Sequence, residues 1–249
     1  MKNPRFYCTP KTSDKLALGA TVRLSENAAI HATRVLRLKI GDELVLFNGD
    51  GQDYLAELTF IKKDEAQAKV KAVQAVNNES PLKITLAQAI SSGDRMDFTI
   101  QKAVEMGVSH IQPISSQRSM VKLSGERAER RVEHWQNVII SACEQSGRAT
   151  VPTIESPLSL ANWLSKPSAF STCITLSPNA ADTLHSLPPP NGEICLLIGA
   201  EGGLTEDEIS IANIRGFVPV RLGNRVLRTE TAPLAAIAAM QTLWGDFCN

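Results

Sequence analysis

Aromatic side chains are scarce: Phe, Tyr and Trp together make up 5% of the 249 residues. Proteins that read single strands by stacking bases on exposed rings are thereby disfavoured, while phosphate and shape contacts by Arg and Lys stay available. An excess of one charge is also lacking, because 26 Lys and Arg balance 26 Asp and Glu. The whole molecule exerts no net pull on a polyanion, so such a partner has to be held by local basic patches. Cysteine never recurs as C-x-x-C. The five residues Cys8, Cys143, Cys173, Cys195 and Cys248 are odd in number and scattered, which fits reduced thiols in a cytosolic protein. His31, His110, His134 and His185 show neither H-E-x-x-H nor H-x-E spacing, so no metal site is expected. No apolar run approaches the ~18 residues of a membrane helix, and the opening MKNPRFYCTPKTSDK has no apolar signal core. A soluble, unprocessed cytoplasmic protein is the expectation.

What is present follows two grammars. At 43% hydrophobic and 21% charged residues, the chain suffices for one large or two modest globular domains. Up to about residue 75, turn pairs punctuate short alternating runs: Asn48-Gly49 and Asp50-Gly51 separate ELVLF from QDYLAELTFI, and Lys62-Lys63-Asp64-Glu65 precedes AQAKVKAV. Such spacing predicts hairpins. ENAAIHATRVLRLKIG interrupts them as a helix closed by Gly41. A small β-barrel with one helix, residues 1–75, is the economical model.

From residue 76 onward strands and helices alternate. KITLAQAIS reads as a buried strand, Asp94 as the cap of a helix that Gly107 ends, and HIQPISSQR as the next strand. In GERAERRVEHWQNVIISACEQSG, Ala128, Val132, Trp135, Ile139 and Ala142 fall on one helical stripe. Arg127, Arg130 and Arg131 read as its solvated face, with Glu126 one turn before Arg130. AFSTCITLS, EICLLIGA and FVPVRLG are further strands. The alternation predicts a mainly parallel sheet covered on both faces, with ligands at the carboxyl ends of its strands. The loops after Leu176, Ile198 and Leu222 are therefore the place to look.

Two of these loops carry chemical information. In LLIGAEGGLTEDEI, glycines permit close approach to the backbone, and Thr205 with Glu208 has the spacing of a capping box. Glu206, Asp207 and Glu208 fill the first turn of the following helix, where they repel a pyrophosphate, and the spacing fits neither dinucleotide nor P-loop fingerprints. A nicotinamide enzyme is thus disfavoured. In LGNRVLRTETAPLAAIAAM, Val226 and Leu227 are apolar within a loop and suggest a pocket wall. Thr231 is placed to cap a helix with Pro233 in its first turn, and that helix has almost no polar face.

GAEGGLTEDE and LGNRVLRTETAPLAAIAAMQ resemble the SPOUT methyltransferases, specifically the ribosomal RNA small subunit methyltransferase E family. PRFY, HATRVLRLKIGDEL, FNGDGQDY, QKAVEMGVSHIQPISSQRS and EQSGR extend the resemblance nearly end to end. Ala200 replaces the proline of the family's usual Gly-Pro-Glu-Gly-Gly.

The resemblance implies an α/β fold: a PUA-like β-barrel for RNA, then a SPOUT domain over residues 76–249 with a mainly parallel, trefoil-knotted sheet. It further implies a homodimer that uses S-adenosyl-L-methionine to methylate the imide nitrogen, N-3, of a uridine in 16S ribosomal RNA of the assembled small subunit. Carried over residue by residue, it assigns donor binding to Leu176, Ser177, Ile198, Gly199, Ala200, Gly202, Leu222, Gly223, Val226, Leu227 and Thr229. Arg228, backed by Arg225, becomes the cation facing the uracil oxygens. Glu230 either accepts the proton or orients Arg228, and Glu201 is a further base. RNA contacts fall to Arg5, His31, Arg34, Arg37, Arg118 and Arg148. A SPOUT ribose 2'-O-methyltransferase and a noncatalytic ribosomal RNA-binding factor remain alternatives.

Overall fold

A computed structural model of the chain describes residues 3–9, 16–167 and 169–248. Two compact units emerge, one comprising residues up to Glu79 with Cys143–Val151, the other Ser80–Ala142 with the chain from Pro152 onward.

The first unit contains β1 (Arg5–Tyr7), β2 (Thr21–Arg23), α1 (Glu26–Ile30), β3 (Glu43–Phe47), β4 (Gln52–Lys62) and β5 (Glu65–Ala75). The strands form one sheet in the order β1-β3-β4-β5-β2. The glycine turns perform as expected: Gly49 and Gly51, both at positive φ, lie between β3 and β4. Lys63 adopts φ 54 in the tight turn from β4 to β5. Strand alternation delivers Leu44, Leu46, Tyr54, Ala56, Leu58, Ala66, Ala68 and Val70 to one core, shared with Phe6, Val22 and, from the helical segment, Ala29 and Ala32. Ser25 caps α1 by accepting from the N–H of Ala28, and the helix continues as a π-helical turn, His31–Val35. It ends at Leu36, where Arg37 takes φ 57, so Gly41 does not close it. Gly41 instead serves the turn before β3, donating its N–H to the Leu58 carbonyl.

The second unit follows with β6 (Ile84–Ala89), α2 (Gly93–Glu105), β7 (His110–Ser115), α3 (Gly125–Ser146), β8 (Thr153–Ile154), β9 (Leu158–Ser159), α4 (Leu160–Ser165), β10 (Thr172–Leu176), β11 (Ile194–Ile198), α5 (Glu206–Ile214), β12 (Phe217–Val220) and α6 (Thr231–Trp244). The last turn of α3 belongs with the first unit. The sheet runs β12-β10-β11-β6-β7-β8, with β9 also on β7, and every ladder in it is parallel. Strand order departs from β6 in both directions, so the switch point lies between β6 and β11. β6 and β11 are buried at every position, as strands covered on both faces must be.

Within this second unit, helix ends differ from expectation in two places. Ser92 occupies the cap position of α2 and Asp94 lies in the first turn, where its charge suits the helix dipole. Glu230, not Thr231, stands at the cap of α6, which opens with the N–H groups of Thr231 and Ala232 on the Arg228 carbonyl, both at 2.9 Å. Pro233, Ala236, Ile237, Met240 and Gln241 are the buried side of α6. Leu234, Ala235, Ala238, Ala239, Leu243 and Trp244 stay half-exposed in the single chain. Among the described residues, no helix is long and apolar enough to cross a membrane.

Candidate functional site

The carboxyl ends of four strands form a level rim. Leu176 is in register with Val220, Thr175 with Leu197, and Ile198 with Gln88. Loops rising from β10, β11 and β12 enclose a cavity of about 610 Å³, within the range of small-molecule sites. β12 ends at Val220, two residues before the expected Leu222, but Leu222 still lines the cavity. So do Leu176, Ser177, Ile198, Gly199, Ala200, Gly223, Val226, Leu227 and Thr229. Arg228, Glu230 and Glu201 share the same walls, as does Arg225.

The loop after β11 folds back tightly on itself. A Cβ on Gly199 would stand 2.8 Å from the Gly203 carbonyl carbon, so only glycine fits. Gly203, at φ 70, donates its N–H to the Ala200 carbonyl at 2.8 Å. Thr205 and Glu208 make both bonds of the capping box, and the other Glu208 oxygen accepts the Gln117 N–H at 2.8 Å. That third bond joins the start of α5 to the loop after β7.

Gly202 departs from its predicted role. Its open side is filled by the aliphatic stem of Arg118, 3.2 Å from where a Cβ would sit, and it does not line the cavity. Arg118 does line it, while its guanidinium donates to the carbonyls of Gly202 at 2.7 Å and Leu204 at 3.3 Å. Glycine here makes room for an arginine.

In the loop after β12, Gly223 takes φ 80, Leu227 is half-buried, and Val226 stands 80% exposed at the mouth. Arg225 and Arg228 are exposed there too. Glu230 is half-buried, and its Oε2 is buried with no hydrogen-bond partner among the described residues. Thr229 is buried, donates its hydroxyl to the Gly199 carbonyl at 2.8 Å, and so ties the second loop to the third.

Glu201 is heavily engaged. One carboxylate oxygen accepts from the Ser92 N–H at 3.1 Å, the Ser92 hydroxyl at 3.2 Å and Arg95 at 3.2 Å. Partial burial pushes its pKa up, but hydrogen bonds from its own backbone, Ser92 and Arg95 outweigh that and hold it below the ordinary carboxylate value. A carboxylate held ionised in this way is a weakened base.

The predicted RNA contacts separate sharply. Arg5 is buried on Asp53 at 2.5 Å, donates to the Arg148 carbonyl at 3.2 Å, and lies over the Phe47 ring. Arg148 is buried in a two-point pair with Glu79, at 2.9 and 2.5 Å. Both hold the first unit together, and neither offers its guanidinium to a ligand. His31 and Arg37 are exposed, and Arg34, also exposed, pairs with Asp64. The Arg130–Glu126 pair on α3 forms as predicted, almost fully exposed.

Sequence reasoning missed Arg95 and Asn179, which line the cavity, and Gln88 beneath it. Applying the carboxyl-edge rule to β6 as well would have led to Arg95, six residues past the strand end.

The RNA methyltransferase domain model matches residues 78–241, and the RNA methyltransferase PUA domain model matches residues 24–71. The ribosomal RNA small subunit methyltransferase E of Buchnera aphidicola subsp. Schizaphis graminum is 37% identical over 231 residues, 93% of this chain and 94% of the relative. That of Bacillus subtilis is 30% identical over 242 residues, 94% of each. Among solved structures, a ribosomal RNA small subunit methyltransferase E from Neisseria gonorrhoeae bound to S-adenosyl methionine is 48% identical. It superposes with a TM-score of 0.90 over 98% of this chain and 99% of that one. End-to-end matches of this kind, over a parallel sheet with its cavity at the carboxyl edge, mean that the chain belongs to the ribosomal RNA small subunit methyltransferase E family.

Proposed function

We propose that the chain methylates N-3 of a uridine in 16S ribosomal RNA of the assembled small subunit, with S-adenosyl-L-methionine as donor. The observation that carries this reading is the convergence of Arg228, Glu230 and a backbone-walled, partly apolar cavity at one sheet edge. When bound, S-adenosylmethionine supplies an electrophilic methyl group on a positively charged sulfur. The carboxylates of the wall suit it, because Glu201 and Glu230 favour a positive centre. Leu176, Ile198 and Leu222 offer apolar surface to adenine, with backbone groups of Gly199, Leu222 and Leu227 to read its edge.

Methyl transfer gains most from positioning, and the uracil imide must also lose its proton. A proton about two pKa units above neutral costs roughly 3 kcal/mol to remove. Arg228 at the cavity mouth offsets that cost by facing the anionic oxygens, with Arg225 behind it. Glu230 accepts the proton, since Glu201 is committed to Ser92 and Arg95. His31, Arg34, Arg37 and Arg118 hold the RNA. The division of labour is an RNA-holding module over residues 1–75 and a knotted catalytic domain over residues 76–249. A second copy covers the half-exposed apolar side of α6, giving a homodimer.

The test is transfer of labelled methyl from S-adenosylmethionine to small subunits lacking their own modification, followed by nucleoside analysis. Labelled 3-methyluridine supports the reading. A 2'-O-methylated nucleoside moves the chemistry to the ribose, and no label in RNA despite donor binding sends the search to other substrates. Absence of donor binding leaves an RNA-binding factor.

A further inference from the structure

Gln88 is a fully buried amide near the end of β6, a strand otherwise made of Ile84, Thr85, Leu86, Ala87 and Ala89. Burying an amide is costly unless its groups are bonded, and an apolar side chain of the same size would fill the space without that cost. Among the described residues its Oε1 has no partner, so the cost is not fully offset. Its Nε2 is committed twice, to the Ala89 carbonyl at 3.0 Å and to the Thr229 hydroxyl oxygen at 3.3 Å. The Ala89 carbonyl only accepts, which fixes which end of the amide faces Thr229.

This fixes a direction along a chain of bonds. An amide nitrogen only donates, so Thr229 Oγ1 accepts from Gln88 and its own proton goes to the Gly199 carbonyl at 2.8 Å. Gly199 and Thr229 line the cavity, one from the loop after β11 and the other from the loop into α6, whereas Gln88 does not. Gln88 sits beside Ile198 in sheet register, at the switch point from which both loops are held.

We infer that Gln88 is a positioning residue, which sets the hydroxyl direction of Thr229 and through it the closure of two loops around the donor cavity. The inference rests on the reading of that cavity as an S-adenosylmethionine site. Gln88 acts through Thr229, so its effect must vanish when Thr229 has no hydroxyl. Because the loops and not the reacting atoms are affected, donor affinity changes while turnover at saturating donor does not.

The experiment titrates S-adenosylmethionine into the full-length wild type, Gln88→Met, Thr229→Val and the double variant, with thermal melting of each to establish folding. Gln88→Met keeps the side-chain volume and removes the amide. Thr229→Val is expected to weaken binding roughly tenfold, the effect of one buried hydrogen bond. Gln88→Met is expected to weaken it at least threefold, and the double variant no further than Thr229→Val alone. In the methyl-transfer assay, Gln88→Met should raise KM for the donor with kcat within twofold of wild type. Unchanged donor affinity in folded Gln88→Met, or single effects that multiply in the double variant, overturns the inference. A wild type that binds no S-adenosylmethionine removes the cavity reading itself and this inference with it, an outcome distinct from normal wild-type binding with a silent Gln88→Met.

Discussion

Arg148 and Glu79 meet through two parallel hydrogen bonds, Nε to Oε1 at 2.9 Å and Nη2 to Oε2 at 2.5 Å, with the arginine side chain only 5% exposed. A planar guanidinium on a carboxylate in this geometry is a strong, directional pair. Removing Arg148 strips the half-buried Glu79 carboxylate, 23% exposed, of both bonds and empties the arginine's buried site, at a cost of about 2 kcal/mol or more. Arg148→Ala is therefore expected to lower the denaturant midpoint steeply. Arg34→Ala, which breaks a pair whose arginine is 60% exposed, is expected to cost at most about 1 kcal/mol while weakening RNA binding. Equal stability losses in the two variants would contradict this assignment.

Glu201 gives a pH signature. Its native pKa is lowered, so its contribution to stability is present above the ordinary carboxylate value and is lost as pH falls through the native value. Glu201→Gln is expected to melt below wild type at neutral pH. The gap should close as pH drops below ~4, near and under the reference glutamate value. A gap constant with pH would mean that ionisation of Glu201 contributes nothing.

Glu144 works in the opposite sense. Burial raises its pKa and outweighs the lowering by the Tyr7 N–H, His31 and Arg5. A glutamate that holds its proton longer in the native state contributes stability below its unfolded pKa, and that contribution is lost as pH rises through the native one. Glu144→Gln, whose amide oxygen still accepts the Tyr7 N–H, is expected to be more stable than wild type at neutral pH. Its advantage should shrink on acidification, as pH-dependent melting of the two proteins will report.

The parts of the fold legible in the sequence are those set by neighbours along the chain. The Thr205 and Glu208 capping box, the hairpin turns at Gly49 and Lys63, and the α3 stripe through Trp135, Ile139 and Ala142 depend on spacings of a few residues. The cavity walls were legible because parallel strands expose their carboxyl-end loops together. Arg5 and Arg148 were misread for the opposite reason. Their partners, Asp53 and Glu79, lie 48 and 69 residues away, and nothing local distinguishes a buried arginine from one that awaits a phosphate. The helix end at Arg37 escaped because a non-glycine residue took the left-handed conformation. Gln88 reads as one polar position in an apolar strand until Thr229 is folded against it.

The proposed role of Arg228, at the mouth of the three-loop cavity, is to stabilise the uracil anion during methyl transfer. Its most direct test is single-turnover methyl transfer to unmodified small subunits at saturating S-adenosylmethionine, wild type against Arg228→Ala, with donor affinity measured on the same preparations. The expected result is a rate lower by on the order of a hundredfold or more, the scale of losing one preorganised electrostatic contact, with donor affinity unchanged. A variant that transfers methyl at the wild-type rate, or one slowed only because it no longer binds the donor, would contradict that role.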